Sequence, residues 1–244
     1  MKRLGEAAMK RYRLIDCIRR KMTLIVSIPE NDPETAKAVQ EAGADAIKVH
    51  LNCHHRASGT HFGSWNEEKA AIQDIPALLD IPAGIVPGAE TVASLSEMKE
   101  IADLGFDFLD IFAHHMPVSY LGIAELTKVI ATDYRFTLLH VPELEKLGLE
   151  IIEASIIEPE GYGQALSMRD LVHYSTLVQN TSCPVFIPTQ RKIAPSDIPY
   201  LHRLGAGGIA IGAVVTGKQR DEIVRVTGEF RAAIDALSLL EVGK

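Results

Sequence analysis

The chain has 244 residues, 47% of them hydrophobic and 23% charged, with a formal net charge of -7. This length suits one large α/β domain with a sizeable core, while the acidic balance, few aromatics and lack of a basic stripe argue against nucleic acid as a partner. The apolar runs are too short to span a bilayer. The basic start, MKRLGEAAMKRYRLIDCIRRKM, has no uninterrupted apolar stretch of the kind a secretory signal needs. Cys17, Cys53 and Cys183 are odd in number and widely spaced, which fits reduced thiols in a cytoplasm.

Residues 2–21 read as an amphipathic helix, with Leu4, Ala8, Tyr12, Ile15 and Ile18 at helical spacing among Lys and Arg. A helix before the first strand either plugs the bottom of a barrel or makes a homo-oligomer contact. Thr23–Pro29 is the first strand. Asp32 and Pro33 then open a helix as N-cap and first helical residue, and Gly43 closes it. Strands follow at Asp45–Asn52, Ile81–Pro87 and Phe106–Ala113, with helices at Glu67–Leu79 and Thr91–Leu104. A fourth helix is expected near Ile123–Ala131 and a fifth strand at Phe136–Val141. Only Glu143–Leu147 separates that strand from the next, Glu150–Ile157, so the fifth helix is expected to be little more than a turn. Met168–Gln179 is a helix, Pro184–Thr189 the seventh strand, Ala194–Leu204 a helix, Gly208–Gly212 the eighth strand and Asp221–Leu237 the final helix.

One pattern recurs. Ala42-Gly43-Ala44-Asp45, Leu104-Gly105-Phe106-Asp107, Leu147-Gly148-Leu149-Glu150 and Leu204-Gly205-Ala206-Gly207 each join a helix end to a strand through a glycine suited to positive φ. They precede strands two, four, six and eight. Eight strands alternating with helices at this length favour a single-domain (β/α)8 TIM barrel over residues 1–244, with an extra N-terminal helix and a shortened helix five.

The segment PVFIPTQRKIAPSDIPYLHRLGAGGIAIGAVVTG resembles the strand seven to strand eight region of phosphate-binding barrels, a group that includes N-acetylmannosamine-6-phosphate epimerase and indole-glycerol-phosphate synthase. The resemblance is specific over this segment and architectural elsewhere. It implies a phosphate held by the loop Gln190, Arg191, Lys192 and Ile193 and by the turn Gly212, Ala213 and Val214. The first loop carries Arg191 and Lys192 where those barrels usually have glycines, so either charge stands in for backbone amides or the two are solvated loop residues. A helix opening near Val214 would add its dipole at the same spot.

Side chains alternate along a strand. In strand two Ile47, Val49 and Leu51 form the face that packs under helices, and Lys48, His50 and Asn52 form the inward one. Asp110 sits between Phe108 and Phe112, His140 shares a face with Phe136 and Leu138, Glu153 shares one with Ser155 and Ile157, and Ser27 comes from strand one. Inward ionisable groups are costly unless paired or used. They suit proton transfer: a carboxylate, Glu153 or Asp110, removes a proton beside a carbonyl, and Lys48 stabilises the enolate oxygen or returns the proton, with His50 beside it. The expected catalytic set is Lys48, Glu153, Asp110 and His50, with Asn52, His140, Ser155, His54 and Arg56 binding the substrate. A buried ion pair that only holds strands in register is the structural alternative.

The loop from Cys53 to Trp65 carries His54, His55, Arg56 and His61, with Gly59 and Gly63 as hinges, and lies where a lid would lie. These features point to an isomerase, epimerase or carbon–carbon lyase acting on a small phosphorylated metabolite without a cofactor. The alternatives are a divalent-metal enzyme using His50, Asp110, His140 and Glu153, and a protein that only binds a phosphometabolite.

Overall fold

The computed structural model describes residues 13–238. Eight parallel strands form a closed barrel: β1 (Thr23–Ser27), β2 (Ala46–His50), β3 (Ala83–Val86), β4 (Phe108–Phe112), β5 (Thr127–Ala131), β6 (Ile151–Glu153), β7 (Val185–Pro188) and β8 (Gly208–Ile211). Each pairs with its successor, and β8 closes on β1 in the register Thr23↔Gly208 to Val26↔Ile211. This is the (β/α)8 barrel, and among the described residues no helix is long and apolar enough to cross a membrane.

Local sequence sets the helix ends. Asp32 accepts from the amides of Glu34 and Thr35, with Pro33 leading the helix Pro33–Glu41. Ser94 with Glu97, and Ser167 with Asp170, form capping boxes that open Leu95–Asp103 and Met168–Gln179. The repeated helix-end motif holds throughout: Gly43, Gly105, Gly148 and Gly205 have φ of 101°, 95°, 94° and 90°, a region that a side chain would make costly.

The strands bury both faces. Ile47, Val49, Leu109, Ile111, Ile152, Ile187 and Ile209 point out beneath the helices. Ile25, Ala46, Phe108, Val129, Ile151, Phe186 and Ala210 fill the lower interior together with Leu14 and Ile18. The helix Leu14–Arg20 is therefore the plug of the barrel bottom. It is pinned there by Asp107, which accepts from the Leu14 amide at 2.8 Å and from Arg13 Nε at 3.2 Å. The part of the expected N-terminal helix at residues 2–12 lies outside the described residues.

One stretch departs from expectation. Thr127–Ala131, expected as the end of a helix, is β5, in register with β4 from Phe108↔Thr127 to Phe112↔Ala131. The fourth connection shrinks to a 3-10 turn, Val118–Gly122. Lys128 fills part of the vacated outer face: it is 7% exposed, and its Nζ donates to the Ile123 carbonyl at 2.5 Å. Phe136–Val141 is correspondingly not a strand. It leads into a 3-10 turn, Leu138–His140, and the six-residue helix Val141–Lys146. The expected helix Glu67–Leu79 is split into Trp65–Ile72 and Ile75–Leu78. The loop after β2 is a β-hairpin pairing Cys53–His55 with Thr60–Phe62.

Candidate active site

The inward side chains near the C-terminal ends of the strands change character within two residues. Along β2, Ala46 is followed by Lys48 and His50; along β4, Phe108 by Asp110; along β6, Ile151 by Glu153; along β1, Ile25 by Ser27. Lys48, Asp110 and Glu153 are brought together and are nearly sealed from solvent, at 6%, 2% and 8% exposed. Lys48 Nζ donates to Asp110 Oδ2 at 2.6 Å and to Glu153 Oε2, and lies 5.5 Å from the centre of the Phe186 ring. Ser155 Oγ donates to Glu153 Oε1 at 2.6 Å.

Two carboxyl groups share one ammonium, so their proton affinities separate. Burial pushes Asp110 well above the usual carboxylate range, and the charge of Glu153 pushes it further. Burial also works to raise Glu153, but the Lys48 charge and hydrogen bonds from Asp110, Lys48 and Ser155 outweigh it and hold Glu153 below its ordinary value. Burial would lower Lys48, yet the two carboxyl groups overcome it and keep the ammonium charged. Of the two carboxyl groups that share the ammonium, Asp110 therefore holds its proton to higher pH than Glu153 does.

His50 lies beside this cluster with Nε2 3.2 Å from Ser27 Oγ and its ring 4.8 Å from Phe62 and 4.7 Å from His55. Its Nδ1 is buried without a partner among the described residues. Burial, then the charges of His55 and Lys48, keep the His50 ring neutral. Burial and Lys48 push His55 down to about 4. His55, Tyr162 and Thr189 belong to the site although strand alternation did not point to them: His55 sits on the hairpin that covers His50, and Tyr162 carries Arg56.

A cavity of about 650 Å³ opens over the cluster, lined among others by Lys48, His50, Asp110, Glu153, Ser155, Gln190, Gly212 and Val214. The hairpin reaches over it. His54 and Arg56 line the cavity, and Arg56 Nη2 donates to the Pro159 carbonyl at 3.0 Å with its guanidinium 4.9 Å over the Tyr162 ring. The histidine-rich loop is thus a folded flap spanning from β2 to the segment after β6.

Other expected ligands lie elsewhere. Asn52 is past the end of β2 with φ 48°, and its side-chain amide donates to the Pro87 carbonyl at 3.1 Å. It turns the chain into the hairpin. His140 is exposed on the 3-10 turn outside the barrel, because the segment that carries it is not a strand. Arg191 is taken up by Asp170 Oδ1 at 2.9 Å and the Gly161 carbonyl at 2.7 Å. Lys192 points to solvent and Ile193 is core, with its amide bonded to the Arg191 carbonyl. The side chain of Gln190 lines the cavity, and its Oε1 accepts from the Ile157 amide at 3.0 Å. At the second turn, Gly212 N–H already donates to Thr189 Oγ1 at 3.0 Å. The amides of Ala213 and Val214, which open the short helix Ala213–Thr216, carry no hydrogen bond among the described residues. The four side chains considered as a metal set do not converge: His140 is outside, and Lys48 lies between Asp110 and Glu153.

No family model matches the sequence, and no curated protein matches it. Solved structures match it in fold. Thiamine phosphate pyrophosphorylase from Pyrococcus furiosus aligns with a TM-score of 0.63 at 16% identity, over 90% of this chain and 98% of that one. Tryptophan synthase from Mycobacterium tuberculosis gives 0.71 at 14% identity, over 90% and 96%. Phosphoribosyl anthranilate isomerase from Thermus thermophilus gives 0.62 at 14% identity, over 88% and 100%. This chain has their barrel. The resemblance seen in the last two strands therefore extends, at the level of fold, around the whole ring. Identities this low carry the architecture and not the reaction.

Proposed function

We propose that the protein is an enzyme that moves a proton on a small phosphorylated metabolite, as an isomerase, an epimerase or a carbon–carbon lyase. One observation carries this: two buried carboxyl groups, one with its proton affinity raised and one with it lowered, share a single ammonium at the floor of the cavity. A structural ion pair needs one anion; a proton-transfer site needs a base and an acid together.

The roles follow from the charges. Glu153 takes a proton from the carbon beside a substrate carbonyl. Lys48 stabilises the negative charge that develops on the carbonyl oxygen. Asp110, the carboxyl whose proton affinity is raised, delivers a proton to the oxygen or to the opposite face of the carbon, and Ser155 holds Glu153 in place. The phosphate docks at the Ala213 and Val214 amides on the rim, which fixes the reacting carbon over the cluster. Two names among the structures of shared fold, thiamine phosphate pyrophosphorylase and phosphoribosyl anthranilate isomerase, denote phosphorylated compounds, which supports the choice of substrate class. A thermal-shift screen of sugar phosphates followed by product analysis tests the proposal. Turnover by the native protein that disappears in Lys48→Met, with the melting temperature retained, supports it; ligands that bind without turning over favour a binding protein.

A further inference from the structure

The cavity mouth is covered on one side only. The hairpin is fastened to the segment after β6 through Arg56, Pro159 and Tyr162. At its tip, a Cβ placed on Gly59 would lie 4.0 Å from Lys218 Nζ, just beyond the short helix after β8. The flap therefore spans the rim from β8 to β6, and the open rim is the one over β3, β4 and β5. On that side lies a second cavity of about 620 Å³. It shares His114, Ala131, Asp133 and Arg135 with the first, so the two are one continuous cleft.

This side cavity exists because the chain departs from a regular barrel there. After β5 the chain makes a 3-10 turn and a short helix, leaving Phe136, Leu144 and Leu147 around a hollow. Leu147 is 61% exposed, although it faces a cavity that could bury it. The other surfaces are flat: the Phe136 and His140 rings meet edge to face at 5.7 Å, and the Arg135 guanidinium lies beside its neighbour Tyr134, 5.1 Å from the ring centre. Among the described residues the Arg135 guanidinium makes no direct ion pair: its Nε and Nη2 donate to the Tyr134 hydroxyl at 3.0 and 2.8 Å, while the nearby Asp133 carboxylate accepts from the Arg135 backbone amide at 3.1 Å.

We infer that this side cavity is a second subsite, which holds a planar apolar group attached to the substrate. The substrate is then a two-part molecule: a phosphorylated end at the β8 turn, a reacting carbon over Lys48 and Glu153, and a ring lodged between Phe136, Leu147 and Arg135. Apolar and cationic flat surfaces together favour an aromatic ring over an aliphatic chain, and the volume accommodates one. A plain sugar phosphate would leave this half of the cleft empty. The inference rests on the proposed function for the phosphate end, and its test separates the two.

Binding of glycerol phosphate, phenyl phosphate, phenylpropyl phosphate and phenylpentyl phosphate to the full chain is measured by calorimetry. The subsite predicts that a phenylalkyl phosphate with a long enough linker binds about tenfold or more tighter than glycerol phosphate. It predicts that Leu147→Lys and Phe136→Ala each remove that gain while leaving glycerol phosphate affinity unchanged. Leu147→Lys is chosen because an added cation would, if anything, strengthen binding of an anion, so a loss reports the apolar contact. If the phenylalkyl compounds bind no tighter than glycerol phosphate, or keep their advantage in both variants, the subsite is refuted while the proposed function stands. If they bind through the side cavity but glycerol phosphate does not bind at all, the subsite stands and the phosphate reading falls. If nothing binds, both fall.

Discussion

The barrel interior has two floors built from the same strands. The lower one, Ile25, Ala46, Phe108, Val129, Ile151, Phe186 and Ala210, is apolar and closed from beneath by Leu14 and Ile18. The upper one, two residues further along β1, β2, β4 and β6, is Ser27, Lys48, Asp110 and Glu153. The floors touch where Lys48 Nζ lies against the Phe186 ring. Equal burial thus hides opposite purposes: below, burial supplies stability; above, the same burial separates the proton affinities of two carboxyl groups.

Substitutions on the two floors should fail in different ways. The largest effect belongs above. Glu153→Gln removes the base and should lower turnover about a thousandfold, with a circular dichroism spectrum like that of the native protein. Below, Phe108→Ala should cost about 3–5 kcal/mol of stability in chemical denaturation while the folded fraction keeps its turnover per molecule. Phe108 is packed so closely over Gly84 that a Cβ there would lie 2.0 Å from its ring.

Next in size is the acid. Asp110→Asn is neutral at every pH and cannot give up a proton, and turnover should fall about a hundredfold. The pH dependence sharpens this. Activity should rise as pH rises through the lowered value of Glu153, as it ionises, and fall as pH rises through the raised value of Asp110, as it loses its proton. The profile is a bell whose limbs belong to the coupled pair, and Asp110→Asn should abolish the alkaline limb. The stability contributions have the opposite senses. That of Glu153 is present above its unfolded value and lost as pH falls through its lowered folded value. That of Asp110 is present below its ordinary 3.8 and lost as pH rises through its raised value.

The smallest effect lies at the flap. Arg56→Ala releases the contacts to Pro159 and Tyr162, worth about 1 kcal/mol. It should raise KM a few-fold with little change in kcat, and speed limited proteolysis within the hairpin.

Most of the upper floor is legible from sequence, because alternation fixes which residues share a face once a strand is found: Lys48, His50, Asp110, Glu153 and Ser155 are all where alternation puts them. Asn52 shows the limit of that rule, since alternation ends where the strand ends and a positive φ begins. The repeated glycine motif marks β2, β4, β6 and β8, but β5 has no such signal because no full helix precedes it. Leu126 and Ile130 there mimic helical spacing, and Phe136–Val141 mimics a strand. His140 lies in that segment and so falls on a 3-10 turn outside the barrel. Arg191 shows a different limit: its partner Asp170 is 21 residues away in sequence, and nothing local reveals that the guanidinium is already engaged.

The most direct test needs no substrate. Carbon-13 NMR titration of the side-chain carboxyl groups, assigned with Asp110→Asn and Glu153→Gln, reads the separation of the two proton affinities. Asp110 should titrate well above the ordinary carboxylate range, with Glu153 ionised throughout neutral pH. Two carboxyl groups titrating together in the ordinary range would make the upper floor a structural ion cluster and contradict its role as an acid–base pair.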